Sequence, residues 1–354
     1  MRVIHAIYSF TIGGSETMLV DIINEQCNEA SVSLIIVNDK MDRNLLDTID
    51  KRVNVFLINR RESSKIQLLS AFFKINQIVN RINPDVIHCH DNKLFPFFIR
   101  RQRKSCLTIH SVNLSVVFLK RYRRIFAISA AVQQNIKKIS GINAQIVLNG
   151  IKIDQYKPRV NFDFDPGRDE FKIAQISRLC PEQKGQHIAI QAMRLLKEQN
   201  PNRNIRLYFI GGGEALAELK ELAVRYAVQH QIVFEGVADR DRIKNNLRDY
   251  HVLIQPSLIE GFGLTIIEGF ACGLPVIASD LDGPGEICRL LDAGLLARPG
   301  DPVDLAEKIY NVYQSYLSNT LEKEDYMLKD KNQLKIFDIQ TTAKTYLENY
   351  KMNS

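Results

Sequence analysis

The chain has 354 residues, too many for one small core and enough for two domains of ordinary size. Its composition, 45% apolar and 25% charged, is that of a soluble globular protein, and no run of about 18 apolar residues offers a membrane-spanning helix. The net charge of +7 is unevenly placed: residues 51–150 carry 18 Lys/Arg against 3 Asp/Glu, whereas the chain beyond residue 155 carries 25 against 28, so the first half should meet an acidic partner.

Residues 1–12 read as a first strand rather than a cleaved leader. Short apolar runs then predict buried strands at 3–8, 32–37, 53–57, 86–89, 106–109, 125–128 and 145–148. Helical periodicity falls between them at 16–28, 66–82 and 130–139. The second half repeats the rhythm, with strands at 171–176, 206–210, 232–234, 252–255 and 275–278 and helices at 187–199, 215–229, 240–249, 265–272 and 302–315. Near-continuous apolar strands joined by helices imply parallel sheets covered on both faces. The polar segment 157–169, with two prolines and a glycine, is the best linker; 318–333 reads as a connection before a last amphipathic helix at 336–351. The expected domains are 1–156, 157–335 and a returning helix, 336–354. Two doubly wound α/β lobes would then face each other across a cleft where strand C-termini converge. The six cysteines are scattered, with no C-x-x-C pair and no metal-ligand spacing, which suits free thiols in a reducing, cytoplasmic compartment.

The run most informative about chemistry is Glu260-Gly261-Phe262-Gly263-Leu264-Thr265-Ile266-Ile267-Glu268, which follows the strand at 252–255. Two glycines let the backbone approach a ligand and aim its N–H groups at anionic oxygens. A helix opening at Thr265 would turn its positive end toward the same anion. Glu260 and Glu268 can each accept hydrogen bonds from sugar hydroxyls. As a plain structural feature the string would be a glycine-rich turn with two solvated glutamates. Other features of note are the glycine loop at Gly13-Gly14, with Glu16 just behind; Ser177-Arg178-Leu179, followed by Lys184-Gly185; and Gly211-Gly212-Gly213-Glu214, with Gly236-Val237 further on. His110 stands at the end of the strand at 106–109. His88 and His90, two apart in a strand, share one face, where packing is a better reading than a metal pair.

This combination, with Glu-x7-Glu enclosing Gly-Phe-Gly and followed by Ala-Cys-Gly-Leu-Pro-Val-Ile-Ala-Ser, resembles the retaining family 4 glycosyltransferases of the GT-B fold (glycosyl transferases group 1). The likeness runs through nearly the whole chain, including Ile128-Ser129 before a helix and Val147-Leu148-Asn149-Gly150-Ile151 before the linker. It implies two Rossmann-like domains, an acceptor-binding first and a donor-binding second. By the same resemblance Arg178 and Lys184 clamp the donor diphosphate, Glu268 holds the ribose, and Glu260 lies near the transferred sugar. The amides of Gly261, Phe262, Gly263 and Leu264 meet phosphate or sugar oxygens, and Gly212 and Val237 lie near the base. Gly13 and Gly14 approach phosphate or acceptor. His110 faces the donor sugar, bonding a hydroxyl or steadying charge. The Asp280–Glu286 stretch matches a family loop and receives no role.

The implied partners are a nucleoside diphosphate sugar, with UDP the expected nucleotide, and a glycan or lipid-linked acceptor, in bacterial surface polysaccharide or lipopolysaccharide synthesis. No metal cofactor is expected, because fixed cations can meet the charge of the leaving diphosphate and no Asp-x-Asp triplet appears. Phe97 and Phe98, interleaved with Arg100, Arg101, Arg103 and Lys104, are expected to face an anionic membrane at the inner face of the cytoplasmic membrane. Nucleic acid is not expected, since no motif for it accompanies the charge. Two other readings stay open: a GT-B-like sugar-nucleotide epimerase, and a non-catalytic sugar-nucleotide-binding protein.

Overall fold

The computed structural model describes residues 1–11, 13–61, 65–112, 117–199, 201–321 and 324–351. The chain divides into two compact units, Met1–Lys152 together with Ile336–Ser354, and Ile153–Lys335.

The first unit alternates strands and helices: β1 (Arg2–Ile7), α1 (Gly14–Gln26), β2 (Ser31–Asn38), α2 (Arg43–Asp47), β3 (Asn54–Arg60), α3 (Lys65–Ile82), β4 (Val86–Cys89), β5 (Ser105–Ile109), β6 (Arg124–Ala127), α4 (Ala130–Ser140) and β7 (Gln145–Ile146). Its seven strands form one parallel sheet in the order β3-β2-β1-β4-β5-β6-β7. The inner strands β1, β2, β4, β5 and β6 are buried on both sides because helices cover both faces. At the start of α4 the Ser129 side chain accepts from Val132 N–H, satisfying an otherwise orphaned donor. The last helix, α12 (Ile339–Lys351), returns to this unit and packs on α1 and the sheet.

The second unit contains β8 (Phe171–Ile176), α5 (Pro181–Lys184), α6 (Gln186–Gln199), β9 (Ile205–Ile210), α7 (Leu216–Arg225), β10 (Ile232–Gly236), α8 (Arg240–Asn246), β11 (Val252–Gln255), α9 (Leu264–Ala271), β12 (Val276–Ser279), α10 (Asp282–Leu291), β13 (Leu295–Ala297) and α11 (Pro302–Leu317). Six strands form a parallel sheet in the order β10-β9-β8-β11-β12-β13. Both sheets therefore reverse direction once, between β1 and β4 and between β8 and β11. At such a switch point the flanking loops diverge and leave a crevice beyond the strand C-termini.

Several expectations are corrected. The segment 157–169 is no free linker: it belongs to the second unit, where Phe162 and Phe164 pack against its core and Phe164 sits edge-on to Phe171. The loop around Asp280–Glu286 instead begins helix α10, since Pro284 falls in the first turn, where its missing N–H breaks no bond. The short strand β13 has only three residues and left no periodic signal. The expected helix at 215–229 stops at Arg225, and Ala227 takes a left-handed conformation (φ 55°).

The expected membrane-facing aromatics are also corrected. Asn92–Lys104 forms an irregular, mostly 3-10 helix in which Phe97 and Phe98 are 3% and 1% exposed. Both are core residues and cannot enter a bilayer from this conformation. Proline at position 96 breaks the regular period, so the apolar side was not legible as an inward face. Arg100 and Arg103 are exposed, whereas Arg101 donates to Asn80 Oδ1 and Lys104 to the Pro84 carbonyl.

Candidate active site

In the second unit the β8 and β11 loops lie at the switch point. β8 leads into Ser177-Arg178-Leu179 and then α5, which ends at Lys184. Gly185 adopts φ +67°, and a Cβ there would fall 1.9 Å from the Pro256 carbonyl oxygen. Only glycine lets the α5 turn press on the segment that follows β11. This contact, with Leu258 N–H and Ile259 N–H donating to the Gln183 carbonyl at 2.8 and 3.1 Å, carries Lys184 to the Glu260 loop.

Lys184 Nζ forms an ion pair with Glu260 Oε2, the side chains only 19% and 17% exposed. Partial burial strengthens the attraction and keeps both groups in place. Two buried glutamines support the loop. Gln175 Nε2 donates to the Lys184 carbonyl (2.7 Å), and Gln186 Nε2 donates to Ser177 Oγ and the Arg178 carbonyl (both 2.9 Å). Arg178 is exposed, reaching Gln183 Oε1 at 3.4 Å. The arrangement is a loop clamped at its backbone with a cation left on its outer side.

The Gly261–Leu264 stretch is largely buried, Phe262 at 3%, and α9 begins at Leu264, one residue before the expected Thr265. Gly211 has φ +147°, and a Cβ there would fall 2.0 Å from the Ser177 carbonyl oxygen, so the glycine run packs on the Arg178 loop. A Cβ on Gly212 would meet Val237 Cγ2 at 2.8 Å, which makes these two predicted residues neighbours; Val237 is 68% exposed.

Glu268, on α9, accepts from the Tyr156 hydroxyl at 2.7 Å, and Arg240 and Lys244 act on it electrostatically. Burial nonetheless pushes its carboxyl above the ordinary value. The folded state thus holds that proton more tightly than the unfolded chain, and stability falls as pH rises through the raised value. Glu268→Gln should therefore raise the melting temperature at pH 7–8, with the difference from the parent vanishing near pH 4. An unchanged difference across that range would show that ionisation of Glu268 carries no cost.

In the first unit, Gly13 precedes α1 and Gly14 opens it, with Thr17 Oγ1 donating to the Gly13 carbonyl. They stand beside a polar cavity of about 470 Å³ beyond the C-termini of β1, β4 and β5, whose lining includes Ser15, Glu16, Arg60, Lys93, His90 and His110. His110 Nε2 meets His90 Nδ1 at 3.2 Å, and burial lowers the His110 imidazole to about 4, leaving it neutral at physiological pH.

His5, His88 and His90 have ring nitrogens within 4.8 Å of one another. His88 and His90 are stacked at 4.5 Å between centroids, so their in-plane lone pairs do not converge on one ion, as ligands about 2.0–2.1 Å from a metal must. The His88 nitrogens are already engaged by Tyr350 Oη (2.5 Å) and Thr108 Oγ1 (2.6 Å). His88 is thus tied to α12 and β5 through these two hydrogen bonds.

The structure thus joins Lys184 to Glu260, sets Gly212 beside Val237, and places His110 on the cavity next to the Gly13-Gly14 loop. It adds Tyr156, Gln175, Gln186, His5 and Gln26, none of which carried a sequence signal. Their roles arise from contacts across 9 to 112 residues of chain for Gln186 and Tyr156.

Two parallel Rossmann-like units, the second with Arg178, Lys184 and Glu260 on the loops at its switch point, are the architecture of the GT-B fold, and the comparisons name the family. Residues 158–329 match the family model described as glycosyl transferases group 1, and residues 12–155 match glycosyltransferase family 4. The chain belongs to this glycosyltransferase family and has its GT-B fold. Among known proteins it is 25% identical over 281 residues to an uncharacterized glycosyltransferase of Methanocaldococcus jannaschii, covering 68% of this chain and 70% of that one. It is 24% identical over 313 residues to the phosphatidylinositol N-acetylglucosaminyltransferase gpi3 subunit of Schizosaccharomyces pombe, covering 81% of this chain and 66% of the relative. The match thus leaves about a third of each relative's length unspanned. The crystal structure of Anabaena HepE in complex with UDP and glucose superposes with a TM-score of 0.79 at 20% identity over 99% of both chains, a likeness of fold.

Proposed function

We propose that the protein is a retaining, metal-independent glycosyltransferase that moves a sugar from a nucleoside diphosphate donor, a UDP-sugar foremost, to a hydroxyl of a glycan or lipid-linked acceptor. The observation that carries this reading is the half-buried Lys184–Glu260 pair on the β8 and β11 loops, with Arg178 exposed on the same clamped loop. As the bond between the anomeric carbon and the diphosphate oxygen breaks, negative charge grows on the leaving group. Lys184 and Arg178 meet that charge, as do the N–H groups of Gly261–Leu264, stabilising the transition state more than the ground state. Glu268 binds the ribose and Glu260 the sugar. The acceptor hydroxyl gives its proton to the departing phosphate oxygen while its own oxygen bonds the anomeric carbon on the same face, which retains configuration.

The UDP assignment is supported by the UDP bound in HepE, and a lipid-linked acceptor by the name of the yeast relative. Bacterial surface polysaccharide or lipopolysaccharide synthesis is the setting this reading favours. The test is a metal-free binding and hydrolysis screen against UDP-, GDP- and ADP-sugars with Lys184→Ala alongside. One donor bound and slowly hydrolysed, with the variant silent, supports the reading. An epimerised nucleotide sugar or no binding at all overturns it.

Contact with an anionic membrane at the inner face of the cytoplasmic membrane belongs to the same proposal, now carried by Arg100, Arg101, Arg103 and Lys104 without the aromatic pair. Binding is then electrostatic and screened by salt. Replacing these four residues by serine should remove sedimentation with phosphatidylserine vesicles at low salt, and equal sedimentation would dismiss the membrane contact.

A further inference from the structure

The polar residues of the first unit that the reaction does not use include a hydrogen-bonded row running from the core to the cavity. Gln26, on α1 and fully buried, offers Oε1 to His5 Nε2 at 2.8 Å. His5, on β1 and also fully buried, places Nδ1 3.0 Å from His90 Nε2. His90, just past β4, places Nδ1 3.2 Å from His110 Nε2. The two His–His contacts bridge neighbouring strand ends of one sheet, since β1 pairs with β4 and β4 with β5. The rings lie nearly parallel, at 20° and 26°, with centroids 5.3 and 5.5 Å apart, the spacing of an edge-to-edge row joined by in-plane hydrogen bonds.

With the Gln26 amide oxygen toward His5, the proton count along this row has one solution. A carbonyl oxygen only accepts, so His5 carries its proton on Nε2 and leaves Nδ1 as a lone pair. His90 must then donate from Nε2 and accept at Nδ1, and His110 must donate from Nε2. Burial holds all three imidazoles well below their usual value, which keeps each at one proton. His110 is left with Nδ1 unprotonated, buried and, among the described residues, without a partner.

We propose that Gln26, His5 and His90 are positioning residues that lock His110, on the wall of the cavity, as its Nε2–H tautomer. The lock itself rests on the hydrogen bonds alone; its consequence for turnover rests on the proposed placement of His110 at the donor sugar. The nearest analogy in physical terms is the partner behind a metal-bound histidine, which sets tautomer and ring orientation from the rear.

The test uses the full chain labelled with ¹⁵N-histidine and two-bond ¹H–¹⁵N spectra, which distinguish the two neutral tautomers. In the parent, His5, His90 and His110 should all appear as Nε2–H. Gln26→Glu keeps an acceptor behind His5 and should leave His110 unchanged, whereas Gln26→Met removes the anchor and should shift His110 toward a mixture. Finding His110 as Nδ1–H in the parent would overturn the inference without recourse to any variant. So would a parent-like spectrum in Gln26→Met. Donor hydrolysis supplies the second arm: Gln26→Met should lower kcat/KM by about tenfold to a hundredfold, the range typical of such orienting partners, with Gln26→Glu near the parent. A shifted tautomer with unaltered turnover would uphold the lock and count against the placement of His110 at the donor.

Discussion

Lys184→Ala is expected to lower kcat/KM for the donor by about 10²- to 10³-fold, the loss seen when one preorganised donor of an electrostatic site is removed. The size follows from where the lysine sits. Its ammonium is mostly buried and paired with Glu260, and its backbone is fixed by Gln175 and by the Gly185 turn against Pro256. Such a group reorganises little when charge develops beside it. Removal has a second cost, because Glu260 is left as an uncompensated carboxylate where the diphosphate should bind. The double variant Lys184→Ala/Glu260→Gln should therefore bind nucleoside diphosphate better than Lys184→Ala alone, though it should not recover turnover. Isothermal titration with UDP separates these contributions. Equal affinity in the single and double variants would show that the ion pair does not set the charge of the site. Lys184→Arg is not a conservative control, since the planar guanidinium cannot occupy the point-charge position.

Tyr346→Ala should destabilise the first unit by about 3–5 kcal/mol, lowering its thermal transition by on the order of 10 °C. Tyr346 is fully buried on α12 and lies edge-on to Phe126 of β6 at 5.2 Å and tilted against His88 at 5.0 Å. Its hydroxyl meets Thr108 Oγ1 at 3.1 Å, and Thr108 in turn meets His88 Nε2. One turn further, Tyr350 completes the set by bonding His88 Nδ1. The helix that ends the chain is thus built into the core of the unit that begins it. Tyr346→Phe keeps the ring and loses only the hydrogen bond, so it should cost about 1–2 kcal/mol. Scanning calorimetry would check both, and a Tyr346→Ala transition within 2 °C of the parent, on the order of 1 kcal/mol, would mean α12 contributes little to that core.

Stability and donor binding make opposite demands at one residue. Glu268 sits where burial disfavours its charge, yet the proposed chemistry needs that charge to hold two ribose hydroxyls. The Tyr156 hydroxyl offsets part of the cost by donating to Oε1. This explains why Glu268→Gln is expected to gain stability at neutral pH and lose donor affinity together.

By itself the sequence determined the two α/β units, because buried parallel strands must be apolar on both faces and leave a signal that needs no partner to be seen. The strands at 86–89, 171–176 and 252–255 match their observed bounds for this reason. It also carried the family resemblance, through Arg178, Lys184, Glu260 and Glu268 together with the Gly-Phe-Gly and Ala-Cys-Gly-Leu-Pro strings. The tertiary structure alone decided which of these groups meet: the pairing of Lys184 with Glu260 depends on the β8–β11 switch point, a relation 76 residues long that no local pattern encodes. It alone turned Phe97 and Phe98 inward, as an irregular helix has no fixed period from which a buried side can be read. It alone made Tyr156 the partner of Glu268 and Gln26 the rear of the histidine row. Single buried polar residues carry no signature in sequence, because what selects them is the unsatisfied group they face.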